Sequence, residues 1–158
     1  MPVIVSVLRV IRRIDQMDAL LPSRPLSILV AAIVAVVFGM LTLFSGGSVL
    51  FVDGPARIAA GNYVPFIVWF NFFAGLAYVL AGIGLYLWQG WAVKLSKFIF
   101  IATLLAFIGL GVHILLDGMF EIRTVGAMTL RSTVWLVIAL ISRVAWKNLN
   151  EQKKVEPQ

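Results

Sequence analysis

The feature that most constrains this chain is the spacing of its charged residues, which leaves long apolar stretches. Four stretches are almost free of charge: residues 25–52, 58–93, 98–116 and 124–142. The last two contain one exception each, His113 and Arg131. A helix needs about 20 apolar residues to cross a hydrocarbon core about 30 Å thick. With 61% hydrophobic residues and a mean hydropathy of +1.01, the chain is too apolar for a water-soluble domain and predicts four membrane spans.

We therefore predict an all-α integral membrane protein, with a four-helix bundle preceded by an amphipathic interfacial helix. The whole chain, residues 1–158, forms a single membrane domain. Its predicted segments are an interfacial helix at 3–21, spans at 26–45, 63–88, 97–117 and 124–146, an outer loop at 46–62 and a cytoplasmic tail at 147–158. Within the outer loop, Asp53-Gly54-Pro55 predicts a turn that opens a short helix through Ala60. That helix is placed to cover the outer mouth of the bundle.

The segment before the first span carries a narrow apolar stripe. Its apolar residues recur at alternating steps of four and three, at Val3, Val7, Val10, Ile14, Met17 and Leu21. This spacing is typical of an amphipathic helix lying on the cytoplasmic leaflet, with its arginines toward lipid phosphates. An alternative is a docking stripe for a partner helix. Because charges interrupt the segment, we expect no cleaved secretory signal.

The basic residues are distributed unevenly about the predicted spans. If the spans alternate, one side of the membrane receives ten of them: Arg9, Arg12, Arg13, Arg24, Lys94, Lys97, Arg143, Lys147, Lys153 and Lys154. The other side receives Arg57 and Arg123, together with acidic residues. Positive charge concentrates on the cytoplasmic side, so we predict a bacterial-type inner membrane protein with both termini in the cytoplasm. The net charge of +6 then reflects topology and lipid headgroups, not nucleic-acid binding.

Several classes of chemistry lack the residues they require. The chain has no cysteine, which excludes disulfides, thiolate metal sites and thiol redox chemistry. A single histidine excludes a heme held between two histidines of one protomer. We find no nucleophile spaced beside a base and no phosphate-binding loop, so the sequence favours a role other than catalysis.

Small residues recur at helical spacing within the spans. Ala77 and Ala81 in the second span, and Ala102 and Ala106 in the third, form small-xxx-small pairs. Further candidate points of close helix approach are Gly75, Gly82, Gly84, Gly109 and Gly111. Such residues let membrane helices pack tightly, which predicts a structural role for them.

Polar side chains cluster toward the outer ends of the last three spans, at Asn71, His113, Asp117 and Arg131, with Glu121 in the connection between the last two spans. An arginine inside a span is costly, so Arg131 is expected to face inward and find an acceptor, first Asp117 and then Glu121. One interpretation is structural, with a buried ion pair that locks the last two helices together. The other is an outward-facing pocket for ligand binding or a proton relay.

Within the pocket interpretation, several ligands remain open. His113, Asp117 and Glu121 offer ligand atoms for a divalent metal, although the positive charge of Arg131 opposes a cation. The same residues suit an anion or a proton-coupled solute. We therefore predict a protein that binds or transfers a small polar or ionic ligand, within a homo-oligomer because four helices alone make a narrow path. The alternative is a non-catalytic accessory or assembly subunit of a larger membrane complex.

Overall fold

The computed structural model describes residues 25–155, the last four of them by backbone alone. The helices in this range are α1 (Leu26–Phe51), α2 (Pro55–Ala60), α3 (Pro65–Tyr86), α4 (Gly90–Leu115) and α5 (Ile122–Val155). Four of them, α1, α3, α4 and α5, are long and apolar enough to cross a membrane, which confirms the predicted spans. The predicted interfacial helix at 3–21 lies outside the described residues.

The four long helices form a bundle in which each packs on two others. Both α1 and α4 lie against α3 and α5. The contact between α1 and α3 is the most extensive of the four, and that between α1 and α5 is the smallest. The short helix α2 lies where α1 ends and α3 begins, and we call this end of the bundle the α2 end. The loop at residues 87–89 closes the opposite end.

Glycines account for the close contact between α1 and α3. A Cβ atom added at Gly39 would lie 3.0 Å from the carbonyl oxygen of Gly75, and one added at Gly82 would lie 2.9 Å from the carbonyl oxygen of Ala32. The two backbones leave no room for side chains at these points. Gly75 and Gly82 are therefore points of close approach, as predicted, whereas a Cβ at Gly111 would have no neighbour within 4 Å.

The first span continues through Phe51, past its predicted end at residue 45. The Phe51 ring packs edge-on against Trp69 and Phe72, with centroids 5.8 and 5.3 Å apart. A Cβ atom added at Gly46 would lie 3.5 Å from the Cβ of Phe72, so this glycine also faces α3. Packing against α3 thus outweighs the low helix propensity of glycine, and the loop to α2 is shorter than predicted.

The last two spans are also longer than predicted. α4 begins at Gly90 and not at residue 97, and α5 continues to Val155, past residue 146. Lys94 and Lys97 therefore lie in the first turns of α4, where both are exposed. Their long side chains can carry the charge toward a polar layer while the helix continues. Hydropathy marks where apolar residues begin, whereas a helix ends only where its backbone hydrogen bonding ends.

The short helix Pro55–Ala60 confirms the prediction from the Asp53-Gly54-Pro55 turn. Arg57 fastens it to the end of α1. Its Nε atom donates a hydrogen bond to the Val49 carbonyl oxygen at 2.8 Å, and Nη2 donates to that of Leu50 at 2.7 Å, while the guanidinium also pairs with Asp53. The last carbonyls of a helix lack partners within it, so Arg57 caps α1.

Candidate functional site

A cavity of about 450 Å³ opens at the α2 end of the bundle. Its walls come from α1, α3 and α5, and α2 borders it through Ala56, Ala59 and Ala60. Most of the wall is apolar; the polar side chains on it are Ser45, Ser48, Tyr63, Asn71, Glu121, Arg123, Thr124 and Arg131. This volume and this mixture, a mainly apolar wall with a few polar groups, are typical of small-molecule sites.

Arg131 is the charged group that lies deepest in the cavity wall. It follows Ile122, the first residue of α5, by nine positions, which is about 14 Å along the helix axis. Its Nε atom is buried and has no hydrogen-bond partner in the part of the chain that the structure describes. The ion pairs among the described side chains lie elsewhere, on α2 and near the far end of α5. Neither Asp117 nor Glu121 therefore neutralises Arg131, and the structural interpretation as a buried ion pair is wrong.

Further polar groups near Arg131 are poorly satisfied within the described part of the chain. The Tyr78 hydroxyl lies beside the Thr103 hydroxyl and near Arg131. Neither hydroxyl makes a hydrogen bond of normal geometry there, and the Trp135 indole N–H makes none either. The same is true of Asn71 Oδ1, on the cavity wall. Buried polar groups are usually satisfied, so this concentration of unsatisfied groups makes the region the candidate site of the described residues.

Charged residues at the start of α5 make hydrogen bonds to α2 and to the loop after it, at the border of the cavity. Glu121 Oε1 accepts a hydrogen bond from the backbone N–H of Asn62 at 3.0 Å, and Arg123 Nη2 donates to the Ala59 carbonyl oxygen at 2.6 Å. Gly61 has φ of +58° in the left-handed region, and a Cβ atom there would lie 2.5 Å from Glu121 Oε1. Only glycine therefore fits this turn.

His113 and Asp117 lie at the end of α4, outside the cavity wall. His113 Nε2 is 3.1 Å from the Met119 carbonyl oxygen, and the ring meets Phe66 edge-on at 6.2 Å. Asp117 is exposed and has φ of +59°, and the N–H of Gly118 donates to the His113 carbonyl oxygen at 3.0 Å. This is a Schellman-type helix end, in which an aspartate tolerates the left-handed conformation. Helix termination accounts for the position of Asp117.

The geometry offers no support for the metal and proton-relay predictions. No group of three or more His, Cys, Asp or Glu side chains in the described part of the chain is arranged to hold a metal ion. His113 and Glu121 each contact a different backbone group, and Asp117 is exposed to solvent. Of the five predicted site residues, the cavity brings together Asn71, Glu121 and Arg131.

Sequence reasoning missed three residues near Arg131. Tyr78 follows Asn71 by seven positions and Trp135 follows Arg131 by four, so helical spacing places each pair on one face. That spacing is enough to predict that Tyr78 and Trp135 lie near the site. The sequence does not predict the position of Thr103, because its place beside Tyr78 depends on how α4 packs against α3.

Fold and site together define a multi-pass membrane protein built on a four-helix bundle, with a mainly apolar cavity that contains an arginine unpaired among residues 25–151. Comparisons of the chain with models of protein families, with curated proteins and with solved structures find no match. The cavity and its polar side chains are therefore the basis for inferring the function of this protein.

Proposed function

We propose that this protein binds a small anionic ligand in the cavity at the α2 end, with Arg131 as the anchoring cation. The observation that carries the proposal is the Arg131 guanidinium, which lines the cavity while its buried Nε atom has no partner among the described side chains and backbone. An arginine at such a depth costs about 2.5 kcal/mol or more. A bound anion supplies both the missing charge and the missing acceptor, and the planar guanidinium matches carboxylate and phosphate groups.

The other groups on the cavity wall favour an anion over a cation. Two arginines, Arg123 and Arg131, outnumber the one carboxylate, Glu121, so the local charge is positive. Glu121 and Arg123 are also engaged with the α2 segment. Asn71 Oδ1 is an acceptor without a donor, which favours a ligand that carries an N–H or O–H group near its anionic group.

Binding of three simple anions tests this proposal on purified protein, with acetate, benzoate and inorganic phosphate titrated calorimetrically. Arg131→Met is expected to weaken binding of the anion that wild type prefers by about 10- to 100-fold, because a hydrogen bond to a charged group contributes about 1.5 to 3 kcal/mol. Arg143→Met is the matched control, since Arg143 lies exposed on the same helix, far from the cavity. Absence of Arg131-dependent binding for all three anions would overturn the proposal.

We also propose that the α2 end faces the outside of a bacterial-type inner membrane, with both termini in the cytoplasm. The distribution of basic residues supports this orientation. Because the chain has no cysteine, single-cysteine variants have no background reactivity. A membrane-impermeant maleimide added to intact cells is expected to label Ala56→Cys on α2 and to leave Asn150→Cys unlabelled. The reverse labelling pattern would mean that the protein has the opposite orientation.

The proposed anion site lies within one bundle, so anion binding does not require the predicted homo-oligomer.

A further inference from the structure

Two spaces open along the line where α1 meets α5, the smallest helix contact of the bundle. The first is the cavity at the α2 end. The second is an apolar groove of about 530 Å³ toward the opposite end. On α1 it runs between Leu26 and Val34, and on α5 between Thr133 and Ile141. Almost all of its wall is apolar, so the groove suits hydrocarbon.

On α5 the cavity and the groove lie along one helix face. Arg131 lines the cavity, and Val134 and Ile138, three and seven residues further along the helix, line the groove. From Thr133 to Ile141 the groove extends over eight residues, or about 12 Å. One leaflet of a bilayer has a hydrocarbon thickness of about 15 Å, half of a core about 30 Å thick. The groove is therefore somewhat shorter than one leaflet, a length that suits a medium-length hydrocarbon chain.

The position of Arg131 indicates what kind of ligand would occupy both the cavity and the groove. A small anion bound at Arg131 would leave the groove to the chains of bilayer lipids, and an uncharged hydrocarbon in the groove would leave Arg131 without an anionic partner. A molecule with one anionic group and one hydrocarbon tail satisfies both, since its head meets the guanidinium and its tail continues along α1 and α5. We infer that the ligand is a single-chain anionic amphiphile of the fatty-acid carboxylate class. This inference rests on the proposed function.

The walls of the groove favour access from the bilayer. Val30 on α1 is 52% exposed and Val137 on α5 is 46% exposed, and these side chains face lipid in a membrane. An amphiphile concentrates in the bilayer, so it can enter sideways between α1 and α5. Its head then reaches Arg131 at a depth where a lipid headgroup does not ordinarily reside, which is why a dedicated cation is needed there.

Competition binding tests the inference on the purified full chain in detergent, with tritiated laurate as the probe. Unlabelled laurate is expected to displace the probe at a concentration at least about tenfold lower than butyrate, which has the head without the long tail. Dodecanol, which has the tail without the charge, is expected to be weaker by a similar factor. Equal potency of butyrate and laurate would overturn the amphiphile assignment, and so would equal potency of dodecanol and laurate.

Groove-filling variants separate this inference from the proposed function. Val137→Trp is expected to weaken laurate binding by about tenfold or more while it leaves acetate and benzoate binding unchanged. Val112→Trp is the matched control, because Val112 is 50% exposed on α4, away from the groove. Val30→Trp, which fills the groove from α1, provides a second variant if Val137→Trp fails to fold. Unchanged laurate binding in a folded groove variant overturns the inference, as does equal loss in Val112→Trp. Arg131-dependent anion binding would then still support the proposed function.

Discussion

Replacing Arg131 with methionine is expected to stabilise the protein while removing its capacity to bind anions. Arg131 lies within a span, has no carboxylate partner among the described residues and keeps a buried Nε atom without a hydrogen bond. Methionine has a similar length, carries no charge and needs no partner. An arginine inside a span costs about 2.5 kcal/mol or more, so we expect its replacement by an uncharged residue to stabilise the protein by about 2 kcal/mol. The free energy of unfolding in mixed micelles, titrated with sodium dodecyl sulfate without added anions, measures this.

The sign of the change in the free energy of unfolding distinguishes an arginine that lacks a carboxylate partner from one that is held in a buried ion pair. If a carboxylate neutralised Arg131 in the membrane, its removal would leave an unpaired buried charge and destabilise the protein by about 3 to 5 kcal/mol. Leu130→Met is the matched control, since Leu130 is the preceding residue and is 56% exposed toward lipid. We expect it to change the free energy by less than about 0.5 kcal/mol. A destabilised Arg131→Met variant beside an unchanged control would contradict the site described above.

The four spans were predictable from the sequence because the bilayer sets their minimum length and forbids most charges within them. The residues at which the helices end were not predictable in the same way. α1 continues through Gly46 to Phe51 because aromatic side chains on α3 hold it there. α4 begins several residues before its apolar stretch because Lys94 and Lys97 remain exposed on a continuous helix. Both outcomes depend on tertiary packing and side-chain reach, which local composition does not contain.

The site was predictable in part for a related reason. A rise of about 1.5 Å per residue gives the depth of a side chain in a helix, so the sequence predicts that Asn71, Glu121 and Arg131 lie toward one end of the bundle. Depth does not give the rotation of a helix about its axis or the course of a loop. Asp117, the expected partner of Arg131, occupies the left-handed position at the end of α4 and is exposed. A backbone requirement of helix termination, invisible in the charge pattern, thus keeps Asp117 from pairing with Arg131.

Substituting leucine for Gly82 is expected to cause the largest loss of stability of any change considered for the bundle. A Cβ atom at Gly82 would lie 2.9 Å from the carbonyl oxygen of Ala32 and 3.0 Å from the backbone nitrogen of Val36. Both atoms belong to the backbone of α1, so a rotamer change cannot relieve the contact and the two helices must separate. Overpacking typically costs about 1 to 3 kcal/mol, and we expect about 3 kcal/mol because backbone must move. Unfolding of the variant in mixed micelles measures the loss.

Gly111→Leu separates the effect of the contact from the effect of the substitution. The same residue is introduced in the middle of a span, but a Cβ atom at Gly111 has no neighbour within 4 Å. Leucine also favours a helix over glycine by roughly 0.8 kcal/mol, so this variant is expected to be as stable as wild type or slightly more stable. Similar losses in both variants would mean that glycine is required at these positions for some reason other than the approach of α1 to α3. A loss confined to Gly82→Leu assigns the stability of the bundle to that contact, which lies away from the seam between α1 and α5 where the ligand is proposed to bind.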